Sequence, residues 1–350
     1  MHSTKSYVSY LTRTTRSLLI IATIITISIL ILYYFFARLH VCIKFSLSTK
    51  PNLINNAKHT QLETILSSSF IYSLDNECKI DLNDSSLHIR KKEFDNIFET
   101  GRWNTIGSRS GPGSSLEGAF DWLRHLRTLF EHYSIRSMGD IPCGDTYWQF
   151  SLREINTIEE LYFGGDISLS VIKQNQKLYK TKHHNKLFQY WDIVNCPIPT
   201  FTYKNSTYEI NGNRFDLIIV RDALQHMHIR NGLKAVRNVI MSGAKFFALS
   251  TYPPNGRSSA SNTRSIGKNE SLPLIPTECV NKTYCTYGAI KDGDWYANNI
   301  NCYPFNFPLN KAILVQQSHE KFGMEQDEMH IYKIDEELKK IVEQYDNACS

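Results

Sequence analysis

The chain has 350 residues, enough for one large domain or two small ones, and its hydrophobic content of 42% is enough for a proper core. The net charge of +5 is mild and spread along the sequence. No basic stripe with interleaved aromatics occurs, which argues against nucleic acid as a partner.

Residues 1–17 form a short polar tail, expected on the cytosolic side. Residues 18–37, LLIIATIITISILILYYFFA, run for 20 positions without a charge. That length crosses a bilayer as one helix, and Tyr33 and Tyr34 suit an interfacial belt. The run is too long for a secretory core and no clean cleavage site follows, so the expectation is an uncleaved transmembrane signal anchor. Lys5, Arg13 and Arg16 precede it, and Arg38, Lys44 and Lys50 follow, so flanking charge does not orient it. Glycosylation sequons do. Those at Asn83, Asn205, Asn269 and Asn281 all follow the span, which favours a lumenal or extracellular body. The expectation is a single-pass type II membrane protein and a glycoprotein of the secretory pathway, with the Golgi as its place. Eight cysteines agree. Cys279, Cys285 and Cys302 cluster in a loop-like region and could pair in an oxidising lumen, whereas Cys143 and Cys196 lie beside apolar segments and read as buried thiols.

Residues 38–95 read as a polar stem with one or two helices, and residues 96–350 as the globular body. The Gly/Ser/Pro cluster at 107–115 leads into a helical spacing of Leu116, Phe120, Leu123, Leu126, Leu129 and Phe130. Strands then alternate with helices. Residues 135–141 and 161–165 read as strands, 168–179 as a helix and 187–191 as a short strand. A continuous apolar strand at 215–220, a helix at 229–241 and a strand at 244–250 follow. This alternation predicts an α/β fold, a Rossmann-like parallel sheet with helices on both faces. Residues 252–310 interrupt it as a long insertion. There Trp295, Tyr296, Tyr303, Phe305 and Phe307 are interleaved with asparagines, the pattern of a substrate-facing lid. Residues 312–316 and 329–334 supply the last two strands and 335–345 a closing helix.

The stretch 138–148, MGDIPCGDTYW, carries the chemistry. An acid and a glycine turn between a strand and a helix form the floor of a nucleotide-like site. Pro142 stands where a dinucleotide fingerprint has its first glycine, and no lysine follows Gly144 to cradle phosphate. The pocket therefore suits a ribose and a base without a phosphate chain, the description of S-adenosylmethionine. Asp140, Asp166, Asp192 and Asp222 all lie at expected carboxyl ends of strands, where open α/β sheets bind ligands. Asp166 lies 22 residues after Gly144, the spacing at which an acid reaches ribose hydroxyls, and Asp192 is placed to accept from the adenine amine. Asp222 or His226 is the candidate general base toward a substrate hydroxyl. His226 and His228 do not share a helical face and no third ligand is evident, so no metal is expected.

With these residues in place, the chain resembles the class I S-adenosylmethionine-dependent methyltransferases. It resembles more closely a bacterial and invertebrate group of methyltransferase-domain proteins. The shared segments are SGPGS at 110–114, DIPCGD at 140–145 with Trp148, and Gly165 with Asp166. Asn175 with Gln176, Arg221 with Asp222 and His226, STYP at 250–253, Asp294 with Trp295, and PFNFP at 304–308 follow. The resemblance implies a seven-stranded sheet with its last strand antiparallel. It implies methyl transfer by in-line displacement, with the cofactor held by Asp140, Pro142, Cys143, Gly144, Trp148, Asp166, Asp192 and Arg221. It does not name the acceptor. The anchor and sequons make a glycan or glycoconjugate hydroxyl the first expectation. The alternatives are a membrane-tethered methyltransferase of a lipid or small molecule, and a non-catalytic cofactor-fold binding protein.

Overall fold

The computed structural model describes residues 70–348, except 80, 82, 180–183, 206, 208, 253–263, 318–326 and most of 268–291. The expected span at 18–37 lies outside the described residues, as do Asn269, Asn281 and Cys285. Among the described residues no helix is long and apolar enough to cross a membrane.

In chain order, β1 (Ile71–Leu74) is followed by α1 (Ser85–Thr100), α2 (Phe120–His132) and β2 (Ser137–Asp140). Next come α3 (Arg153–Asn156), β3 (Leu161–Asp166), α4 (Leu169–Tyr179) and β4 (Lys186–Tyr190). A hairpin of β5 (Phe201–Lys204) and β6 (Glu209–Asn213) precedes β7 (Leu217–Val220), α5 (Ile229–Met241) and β8 (Phe246–Thr251). The chain closes with β9 (Ala312–Gln317), β10 (Glu328–Lys333) and α6 (Glu336–Glu343).

Seven strands form the main sheet in the order β4-β3-β2-β7-β8-β10-β9. The pairs from β4 to β8 are parallel, and β10 runs antiparallel to both neighbours. Strand order reverses between β2 and β7, so a crevice opens beyond their carboxyl ends. Side-chain alternation divides the core in two. Leu217 and Ile219 pack with Trp122, Leu126 and Ile172 on one face. Ile218 and Val220 pack with Leu233, Val236 and Leu338 on the other. All four residues of β7 are buried, as a parallel strand covered on both faces requires.

The globular unit starts before residue 96, the boundary expected from sequence. β1 pairs with β5 in a separate three-stranded sheet, and Leu87, Ile97 and Phe98 of α1 are buried. Cys78 is disulfide-bonded to Cys196 in the loop after β4. This corrects the reading of Cys196 as a free buried thiol: β1 and the loop after β4 bring the two Cα atoms to 5.6 Å. Cys279 pairs with Cys302, within the expected cluster, and Cys143 is a free buried thiol. The Cys78–Cys196 bridge closes a sequence separation of 118 residues. Serine at either position should cost about 2–5 kcal/mol, most of it through the unfolded chain. A thermal midpoint equal to the parent's, by calorimetry, would show the bridge to be idle.

The lid reading of 252–310 is also corrected in part. Tyr296, Phe305 and Phe307 are at most 3% exposed and belong to the core. Asn301 is buried with them because its amide donates to the Phe307 carbonyl and the Tyr332 hydroxyl. Trp295 and Tyr303 alone of those five aromatics stay exposed.

Candidate active site

The cleft at the switch point is lined by all ten residues singled out from sequence: Asp140, Pro142, Cys143, Gly144, Trp148, Asp166, Asp192, Arg221, Asp222 and His226. Each acid lies where its strand ends, so the sheet itself gathers them.

Asp140 ends β2 and is buried. Its Oδ2 accepts from Gln149 Nε2 and from the Tyr162 hydroxyl, each at 2.7 Å. Burial pushes its pKa up to about 7, against those two bonds and with help from the Asp166 charge. Asp166 ends β3. Its Oδ2 accepts from Gly144 N at 3.0 Å and its Oδ1 from Ser168 N at 2.8 Å. Burial raises its pKa to about 6 despite these bonds. Gly144 has φ +56°, and a Cβ there would come within 2.8 Å of Ser110 Oγ, so glycine is required where the 107–115 loop crosses the turn. That loop is tied down by Asp145, which accepts from Arg109 N and Ser108 Oγ, while Asp145 N donates to Ser110 Oγ. Burial, chiefly, raises the Cys143 thiol well above its usual range, so it lines the wall as an unreactive group.

The unfolded chain releases the Asp140 and Asp166 protons near 3.8, whereas the fold holds them to about 7 and about 6. The fold therefore binds more protons between those values. Their contribution to stability is full below 3.8 and is lost as pH rises through 6 and 7. Asp140→Asn should flatten the decline in thermal midpoint across that window. An unchanged slope would place the titration elsewhere.

Arg221 follows β7. Its guanidinium lies 5.3 Å from the ring centroids of both Trp122 and Trp148, while its Nη2 donates to the Gly118 carbonyl. Asp222 has φ +49°, unusual for a residue with a side chain. Its N–H donates to Ser250 Oγ, its Oδ1 accepts from the Tyr252 hydroxyl at 2.5 Å, and its Oδ2 pairs with Arg221 at 3.1 Å. His226 is held from two sides. Its Nδ1 lies 2.8 Å from the Asp294 carbonyl, and its ring lies 4.5 Å from that of Trp103. A carbonyl only accepts, so Nδ1 carries the proton and Nε2 the lone pair. Burial lowers the His226 pKa, against the Asp294 bond, and keeps the ring neutral near pH 7.

Asp192 stands just past β4. Its Oδ2 pairs with Arg90 at 2.7 Å and its Oδ1 accepts from Val194 N at 3.0 Å. Arg90 comes from α1, which also reaches the loop after β3 and the start of α4: Asp95 accepts from Ser168 Oγ and Ser170 N. Gly101, at φ +68°, ends α1 and returns its N–H to the helix, which turns the chain toward Trp103. Arg90, Trp103 and Gln149 are site residues that sequence reading missed, and Tyr252, read only as part of the 250–253 segment, reaches the site through its bond to Asp222.

Four cleft-lining side chains have a buried polar atom without a partner among the described residues: Arg90 Nε, Gln149 Oε1, Trp191 Nε1 and Arg221 Nε. Such atoms mark a wall made for a polar ligand. No group of His, Cys, Asp and Glu that could hold a metal ion occurs among the described residues.

No protein-family model matches the chain, and no curated protein matches it. Among solved structures it is similar to magnesium protoporphyrin IX methyltransferase (ChlM) from Synechocystis PCC 6803 with bound SAM. Identity is 12%, over 73% of this chain and 98% of that chain, with a TM-score of 0.42. It is also similar to the N-methyltransferase NodS from Bradyrhizobium japonicum WM9 in complex with S-adenosyl-L-homocysteine, at 11% identity over 69% of this chain and all of that one, with a TM-score of 0.41. PH0226 from Pyrococcus horikoshii OT3 is similar at 16% identity over 68% and 99%, with a TM-score of 0.38. These likenesses are distant, and the chemistry of the cleft rests on its own residues.

Proposed function

We propose that this chain is an S-adenosylmethionine-dependent methyltransferase that O-methylates a glycan hydroxyl in the secretory pathway. The observation that carries the reading is the convergence of Asp166, Gly144, Arg221 and a neutral His226 in one cleft at the switch point. Asp166 and the Gly144 turn suit the ribose, Asp192 the adenine amine, and Arg221 the carboxylate end of the donor. When bound, the cofactor supplies a methyl group on a sulfonium.

The chain's own part is to align and to take a proton. His226 Nε2 is the base for an acceptor hydroxyl. The Asp222 carboxylate already receives Tyr252 and Arg221, which favours an orienting role for it. Trp103 and the exposed Trp295 offer aromatic faces of the kind that sugar rings use. Two disulfides support an oxidising compartment, and Asn83 is exposed while Asn205 is half-buried. A type II anchor at 18–37 completes the reading.

The test is calorimetric titration of the full-length chain with S-adenosylhomocysteine, followed by methyl transfer to glycan acceptors. Absence of nucleoside binding sinks the enzyme reading. A chain from cells whose gel mobility ignores glycosidase sinks the lumenal one. Ribose hydroxyls donate more strongly to the ionised Asp166 than to the protonated acid, so affinity should fall on acidification below about 6. Binding at pH 6 should release up to about half a proton per ligand, read from calorimetry in buffers of different ionisation enthalpy.

A further inference from the structure

The main sheet provides the Asp192 carboxylate, but the charge facing it comes from outside that sheet. We propose that Arg90 is a positioning residue that sets the base preference of the cleft. By holding the Asp192 carboxylate in one orientation, it selects a nucleoside bearing an exocyclic amine over one with an oxo group at that place. The inference rests on the S-adenosylmethionine reading and deepens it to recognition of the base.

Arg90 and Asp192 side chains are each 3% exposed, and both line the cleft. Asp192 is clamped in one orientation. Its oxygens meet Arg90 Nη2 and Val194 N, and its own N–H donates to Cys78 Sγ at 3.3 Å. Each carboxylate oxygen still has a second acceptor site for a ligand N–H. Arg90 Nη2 occupies one position on Oδ2 and Val194 N one on Oδ1, so the lone pairs that remain keep a fixed direction, and the guanidinium fork adds donors but no acceptor of its own. An oxo group set against this carboxylate would put lone pairs face to face with no proton between them.

The pair is not needed merely to hold α1. That helix is also fastened by Asp95 to Ser168 and Ser170, by Glu99 to Ser170, and through the Cys78 bridge before it. Desolvation offsets much of the attraction in a buried pair, so such pairs are weak sources of stability. Arg90 Nε, buried with no partner among the described residues, adds an unused donor to the same wall.

The experiment is calorimetric titration of the full-length chain with S-adenosylhomocysteine and with its oxo counterpart, S-inosylhomocysteine. The parent should prefer the adenine form by about 30-fold or more. In Arg90→Met the preference should collapse to within about threefold, and Arg90→Lys should retain most of it. Equal weakening of both ligands in Arg90→Met overturns the proposal, since loss of structure alone would do that. A parent that binds both equally overturns it while leaving the cofactor reading intact. A parent that binds neither removes both. If Arg90→Met does not fold, Asp192→Asn is compared with the Arg90→Met/Asp192→Asn double variant, in which no buried charge is left unpaired. Loss of preference in Asp192→Asn with no further change in the double variant supports the coupling. Retained preference in Asp192→Asn overturns it.

Discussion

Asp166→Ala is expected to raise the dissociation constant for S-adenosylhomocysteine by about 100-fold or more. Two vicinal hydroxyls donating to one carboxylate make charge-assisted bonds worth about 1.5–3 kcal/mol each. The same change also strips Gly144 N and Ser168 N of their acceptor, so the glycine turn loses its tie to the end of β3. Asp166→Asn separates the two effects. It keeps one oxygen for the turn but not the charge, and should recover only part of the affinity. Calorimetry reads both. An Asp166→Ala chain within about threefold of the parent would mean that the ribose lies elsewhere.

His226→Ala should lower kcat by about 10²–10⁴-fold while donor affinity stays within about threefold. The geometry isolates proton transfer from donor binding, because His226 lies beyond β7 with Trp103 and the 292–296 segment rather than at the glycine turn. Burial holds the imidazole pKa below its ordinary 6.5, so the acid limb of the kcat profile should lie below that value in the parent. The limb should vanish in His226→Ala. A limb that survives the substitution assigns the base to another group, with Asp222 the next candidate.

The carboxylates were legible in sequence for a topological reason. In a parallel sheet, residues that end successive strands share one edge whatever packs around them. Asp140, Asp166, Asp192 and Asp222 therefore needed only correct strands. The β5–β6 hairpin was invisible because Glu209–Asn213, EINGN, is exposed nearly throughout and shows no apolar face. Arg90 and Trp103 were missed for a different reason. Their partners, Asp192 and His226, lie 102 and 123 positions away, and a charge on an amphipathic helix reads as solvated until the fold buries it. The asparagines at 298–301 misled because polar residues suggest water. Asn301 instead spends its amide on Phe307 and Tyr332, and Asn299 accepts from Asn301 N.

The bond between Cys78 and Cys196 makes the choice of expression host part of any assay. A bacterial cytosol keeps thiols apart, so protein made there would carry a loosened Asp192 loop. Material from a eukaryotic secretory line or a periplasm would not. Two laboratories could then measure different nucleoside affinities from one gene, and a mass spectrum of the intact, unreduced chain would explain the difference before any kinetics were repeated.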